Sequence, residues 1–266
     1  MKYQPLPRRL LAEILGSAFL AAVVIGSGIA AQQLSPGNVG LELAENAAAT
    51  GAGLFAIILM FGPVSGAHFN PVVSLVDAVF GGLRWREVPA YVCVQVLGCI
   101  TGAVVANLMF SRAPISLSTK DRASGGHFLS EIVATLGLML VIFALARSDR
   151  VRSVPPAVGA YIGAAYFFTS STSLANPAIT VGRMFSDSFA GIAPRSVPPF
   201  IVAQLLGGLG ALVAIKALYP GLTASQAANV VVPDNASAEH GLAEGADTMR
   251  VPTRQLRARV TASRNR

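Results

Sequence analysis

"SLANPAITVGRMFSD", residues 173–187, sets a helix-start signal inside an otherwise apolar region. Asn is a favoured helix N-cap, and Pro is favoured at the first helical position, where its missing N–H has no intrahelical partner to lose. The same signal occurs in "AHFNPVVSLVDA", residues 67–78. The two predicted helices, "NPVVSLVDAVF" (70–80) and "NPAITVGRMFSDSF" (176–189), are each too short to cross a bilayer. The segments leading into them, "FGPVSGAHF" (61–69) and "FTSSTSLA" (168–175), are rich in Gly, Ser and Thr and are expected to be non-helical.

The rest of the chain says where such short helices can sit. Of its 266 residues 53% are hydrophobic and 12% charged, with a mean hydropathy of +0.59. A soluble domain carries about 25% charge, so this is the composition of an integral membrane protein. Six apolar runs approach the roughly 20 residues a span needs: about 10–31, 44–62, 88–110, 127–146, 154–170 and 197–218. The first is too long, and followed by too many others, to be a cleaved signal peptide.

The net charge of +7 does not point to nucleic acid, because the basic residues gather in particular loops. Lys2, Arg8 and Arg9 precede the first run; Arg84 and Arg86 follow the second; Arg147, Arg150 and Arg152 follow the fourth; more crowd the C-terminus. The loop after the first run carries only Glu42 and Glu45. The positive-inside rule then places both termini in the cytoplasm. Arg112, Lys120 and Arg122 fit poorly, since that loop would lie outside.

The chain is written twice. "LLAEILGSAFLAAVVIGSG" (10–28) is similar to "FLSEIVATLGLMLVIFALA" (128–146), each with a glutamate near its start, Glu13 and Glu131. The Asn-Pro segments match each other, and "VQVLGCITGA" (94–103) matches "AQLLGGLGAL" (203–212) on Gln95 and Gln204. Repeats of about 8–110 and 126–218 make one membrane domain, 1–218, and 219–266 reads as a polar, basic, largely disordered cytoplasmic tail, either merely solubilising or touching anionic lipid through its arginines. Three spans per copy is an odd number, so the second copy enters the membrane from the opposite side, the inverted-repeat arrangement. Gly98 and Gly102, and Gly207 and Ala211, lie four apart, the spacing of closely packed membrane helices.

Non-helical backbone at membrane depth is tolerated only inside protein or along a wet cavity. Each Asn-Pro segment is therefore expected to be re-entrant, and inversion places the two half-helix N-termini head to head. The waist would be Asn70, Pro71, Val72, Asn176, Pro177 and Ala178, with both amide NH₂ groups turned inward. The positive potential of the helix ends would repel cations and interrupt proton conduction along water.

These motifs resemble the major intrinsic protein family, the aquaporins and aquaglyceroporins, over about residues 8–218. "SGAHFNPVVS" is similar to the first family motif, with Val72 where alanine is usual, and "ANPA" (175–178) to the second. The resemblance implies an all-α aquaporin-like fold of six transmembrane helices plus two re-entrant half-helices. It also implies one pore per subunit, a homotetramer, and bracing of the half-helix loops by Glu13 and Glu131. The family's outer filter maps onto Thr50, Ala164 (Ala165 if the register slips), Ser173 and Ile179. Most members carry an aromatic at the first of these positions and an arginine at the last.

Thr50 and Ile179 thus predict a wide opening, mainly apolar on one side, suited to a solute larger than water. Arg183 lies about two turns beyond Asn176. It is expected either to pair with its i+4 neighbour Asp187 or to face anionic solutes in a vestibule, and the same two readings apply to Asp77 in the first half-helix. The stretch "NPAITVGRMFSDSFAGIAP" with a span-2 Thr is similar to a bacterial branch of aquaglyceroporin-like channels encoded with arsenic-resistance genes. That resemblance implies a downhill path for arsenous acid and methylated arsenicals, with glycerol and water as further candidates. The alternatives are a water-selective aquaporin or an ion-coupled secondary transporter. Nothing suggests an enzyme, a cofactor or a metal: His68, His127 and His240 lack metal-ligand spacing. Cys93 and Cys99, six apart in one span, point in different directions.

Overall fold

The computed structural model describes residues 4–148 and 150–220, so the tail beyond 220 lies outside the described residues. Eight α-helices follow in chain order: α1 Leu6–Leu34, α2 Val39–Ser65, α3 Pro71–Phe80, α4 Val88–Met109, α5 Gly125–Arg147, α6 Val154–Phe168, α7 Pro177–Arg183 and α8 Val197–Leu218. Single 3₁₀ turns precede α4, α6 and α8. Among the described residues, five helices are long and apolar enough to cross a membrane. The fifth expected span is shorter than predicted: α6 holds 15 residues, extended at its start by the turn Val151–Ser153.

Three boundaries depart from the sequence reading. Residues 61–65 are helical, because α2 runs through Pro63 and ends at Gly66, which takes the left-handed conformation (φ 88) that glycine tolerates. The second half-helix stops at Arg183 rather than continuing to 189. Its last turn is followed by backbone that hydrogen-bonds the 112–124 loop instead, with Ser116 and Ser118 donating to Phe185 and Met184. The fifth span ends at Phe168, two residues early.

α1 packs against α4 and α2, α5 against α8 and α6, and α2 against α6. The small residues set how closely these pairs approach. A Cβ on Gly207 would lie 2.6 Å from the carbonyl oxygen of Ile132, and one on Gly98 would collide with the carbonyl of Ile14. Neither position can hold a side chain unless the helices part. Gly207→Val is expected to lower the detergent-solubilised melting temperature, since overpacking costs about 1–3 kcal/mol; thermal unfolding followed by circular dichroism checks it. Cys93 is exposed and Cys99 buried, both as free thiols.

The misfit loop has a structural reason. Arg112, Lys120 and Arg122 donate to main-chain carbonyls of the segment after α7 and before it: Arg112 Nη1 to Asp187 (3.1 Å), Lys120 Nζ to Phe189 (2.9 Å), Arg122 Nε to Gly191 (3.0 Å) and Arg122 Nη1 to Ser171 (2.8 Å). Asp121 pairs with Arg195 at 2.8 Å. These cations clamp irregular backbone, which explains their presence in a loop that topology alone would leave neutral.

Candidate functional site

Each re-entrant segment hangs on a buried glutamate. Glu13 accepts from Ser65 Oγ (2.6 Å), His68 N (3.0 Å), Phe69 N (2.8 Å) and Gln95 Nε2 (2.8 Å). Glu131 accepts from Ser171 Oγ (2.6 Å), Leu174 N (2.9 Å), Ala175 N (2.8 Å) and Gln204 Nε2 (2.6 Å). Gln95 also donates to Ser74 and Gln204 to Thr180, so each glutamine ties its glutamate to its half-helix. Four donors compensate a fully buried carboxylate, which alone would be expensive. They also hold strained backbone: Ala67, Phe69, Ser173 and Ala175 all have φ between 46° and 50°, a left-handed conformation costing roughly 1–2 kcal/mol per non-glycine residue.

The asparagines sit where the sequence puts them and do more than cap. Asn70 Oδ1 accepts from Val72 N, and Asn176 Oδ1 from Ala178 N and Ile179 N. Each amide then reaches across: Asn70 Nδ2 donates to Ala175 O (2.8 Å) and Asn176 Nδ2 to Phe69 O (2.7 Å). One N–H of each amide thus locks the two loops together. The second N–H has no protein acceptor among the described residues, and both side chains line a cavity. Inward-facing NH₂ groups were expected; half of that donor capacity is spent on the opposing loop.

The cavity lies between the two half-helices, lined by Asn70 and Val73 on one side and Asn176 and Ile179 on the other, and it opens to solvent. One long wall is aliphatic, including Leu54, Ile58, Leu138, Ile142, Val158 and Ile162. The polar lining consists of Thr50, His68, the two asparagines, Tyr166, Ser173 and Arg183. No Asp or Glu lines it; Glu13 and Glu131 sit behind the loops.

Of the four expected filter residues, Thr50, Ser173 and Ile179 line the cavity and Ala164 does not. Ala164 is exposed on the outside of the bundle. From α6 the cavity is lined by Val154, Val158, Ile162 and Tyr166, whose hydroxyl lies 3.2 Å from Thr50 Oγ1; the alternative Ala165 is buried but does not line it. A gapless count from the Asn-Pro cannot absorb the irregular loop 169–176, and two residues of slip are enough to turn a helix face outward. An aromatic therefore stands in the wall after all, contributed by α6 rather than α2.

Arg183 does not pair with Asp187. α7 ends at Arg183, so the two share no helical face, and the Asp187 carboxylate accepts from Thr119 N and Oγ1 instead. The Arg183 Nε donates to Ala190 O, and the side chain lines the same cavity as Ile179, one helical turn away. Asp77, its counterpart in α3, turns to His68, with Oδ2 3.4 Å from Nε2, and is absent from the cavity wall. Sequence reasoning missed His68, which lines the cavity and holds Ser74 through Nδ1 (3.1 Å). A lone histidine without metal-ligand spacing carries no signal of its own.

Two half-helices meeting at paired asparagines over a buried glutamate each decide the comparison, and residues 1–175 match the model of the family described as "Major intrinsic protein". The chain belongs to the major intrinsic protein family. The match stops one residue short of Asn176. The chain is 47% identical over 211 residues, 79% of its length and 90% of the relative's, to the aquaglyceroporin AqpS of Rhizobium meliloti (strain 1021). It is 35% identical over 179 residues to aquaporin NIP1-4 of Oryza sativa subsp. japonica, covering 65% of this chain and 64% of that protein. The solved structure of the aquaglyceroporin from Plasmodium falciparum superposes with a TM-score of 0.62 at 20% identity, covering 81% of this chain and 98% of that one, which speaks for the fold. The protein is a multi-pass integral membrane protein of a passive channel family, one that conducts water, glycerol and small solutes, and it is not an enzyme.

Proposed function

We propose that this member conducts small uncharged solutes larger than water, with arsenous acid, methylarsenicals and glycerol as the candidates, down their gradients across a bacterial inner membrane. The observation that carries the reading is the wall at Ile179: an aliphatic side chain lines the cavity where most family members place a fixed cation, and it continues the aliphatic wall. A polyol or arsenous acid can lay its carbon or arsenic side on that wall. Its hydroxyls can then reach Thr50, Ser173 and the free asparagine N–H groups. Ser173 Oγ is buried without a protein partner, which leaves it available to a passing hydroxyl. The lining favours passive conduction over ion coupling: no Asp or Glu among the described residues lines the path, both deep glutamates are committed to loop donors, and His68, which does line it, is held by Ser74 and Asp77.

In this reading the termini are cytoplasmic, four copies assemble with one pore each, and the α7 end of the cavity faces outward. The one channel domain contains both repeats. One observation favours a second reading, a water-selective pore. Tyr166 brings more bulk to the α7 end than the expected Ala164 would. Stopped-flow swelling of proteoliposomes separates the two: glycerol and arsenous acid permeabilities well above those of empty liposomes support the wide pore. Water permeability alone above that background would establish the narrow one.

A further inference from the structure

We propose that Arg183, backed by Lys120 and Arg122, forms a binding subsite for a small planar oxyanion at the α7 mouth of the cavity, where the anion competes with neutral solutes. This rests on the reading of the cavity as the solute path.

Arg183 is only 1% exposed and is the largest fully buried side chain of the described residues. Its guanidinium makes a single hydrogen bond, from Nε to Ala190 O, and no carboxylate lies within ion-pair distance among the described residues. The two terminal nitrogens have no protein acceptor, and the side chain lines the cavity. A guanidinium is always charged and is built to hold two oxygens at once, so a buried one with its fork unoccupied is an incomplete site.

The neighbourhood deepens the deficit. Lys120 and Arg122 are held by neutral carbonyls, those of Phe189, Gly191 and Ser171. Burial, then the fields of Arg122 and Arg183, push the Lys120 ammonium down to about 8; burial, then Arg183, pushes Arg122 down to about 9. The acids nearby are committed elsewhere. Glu131 serves four donors, Asp121 pairs with Arg195, and Asp187 accepts from Thr119. Glu42 attracts Lys120 but is absent from the cavity wall. Tyr166 and Ser173 add neutral hydroxyls to the same cavity lining. Leu54, Ile58, Val158 and Ile162 on the aliphatic wall offer an anion no donor, and the guanidinium is the only cationic side chain among the described residues lining the cavity.

Formate and nitrate are the probes, with gluconate at equal ionic strength as the control too bulky to enter. Two readouts are needed. Formate should raise the melting temperature of the detergent-solubilised wild type in a saturable way, because a ligand that binds only the folded state stabilises it. It should also slow glycerol-driven swelling of proteoliposomes. Arg183→Gln should raise the half-effective formate concentration at least about tenfold, each variant being referenced to its own anion-free values. Arg183→Lys, which keeps the charge and loses the fork, should fall between. A wild-type melt that responds to formate no more than to gluconate overturns the subsite, as does an Arg183→Gln protein that responds like wild type. The melt requires no transport. A saturable formate shift without any glycerol flux would therefore leave the subsite standing and remove the pathway reading.

Discussion

Glycerol flux through a Thr50→Phe, Ile179→Arg double variant is expected to fall at least about tenfold, equivalent to about 1.4 kcal/mol of added barrier. Both side chains line the cavity at the α7 end. Phenylalanine at 50 removes the hydroxyl that meets Tyr166 at 3.2 Å and projects a second ring toward the first. Arginine at 179 replaces an aliphatic wall with a long donor-rich cation. It also lies one turn from Arg183, so the two like charges repel and one must extend into the open space. Water, which needs only a narrow wet path, should be suppressed less than glycerol. Stopped-flow light scattering on matched proteoliposomes gives both permeabilities. Unchanged glycerol flux would mean that solutes do not pass between Thr50 and Ile179.

Glu131→Leu is expected to cost about 4 kcal/mol or more and to prevent recovery of a monodisperse protein. The carboxylate is fully buried and accepts from two main-chain N–H groups, a serine and a glutamine. Leucine leaves all four donors buried without an acceptor, at about 1–3 kcal/mol each before relaxation. Ser173 and Ala175 would lose the anchor that holds their left-handed backbone. Glu131→Gln restores an oxygen but sets its NH₂ against donors, and should be intermediate. Size-exclusion profiles and thermal melts of the three proteins check the order. A Glu131→Leu protein as stable as wild type would mean that the second loop is held by something other than this carboxylate.

Much of this architecture was legible because it rests on local rules repeated twice. Asn-Pro is a cap followed by a first-turn proline, and both sites start helices where expected, at Pro71 and Pro177. The internal match makes Glu13 equivalent to Glu131 and Gln95 to Gln204, and the structure gives the two copies the same glutamine–glutamate contact, which the sequence did not indicate. What failed depended on irregular backbone. The length of α7 is set by hydrogen bonds to the 112–124 loop, which no helical period encodes. Ala164 was chosen by counting back through residues 169–176, where the chain does not advance at a helical rate, and the inward face belongs to Tyr166. Of the two readings of Arg183, the Asp187 pair requires a helix that continues past Arg183; α7 stops there, and the arginine turns to Ala190 and lines the cavity. His68 and Asp77 meet only because a loop and a half-helix fold back on each other.

Arsenous acid uptake into proteoliposomes, with and without a protonophore and with sodium present or absent, tests the account most directly. Because no acidic side chain lines the path, uptake should exceed that of empty liposomes, run to equal concentrations inside and out, and be indifferent to proton and sodium gradients. Accumulation against the arsenous acid gradient, or uptake that vanishes when the ion gradients collapse, would contradict a passive channel.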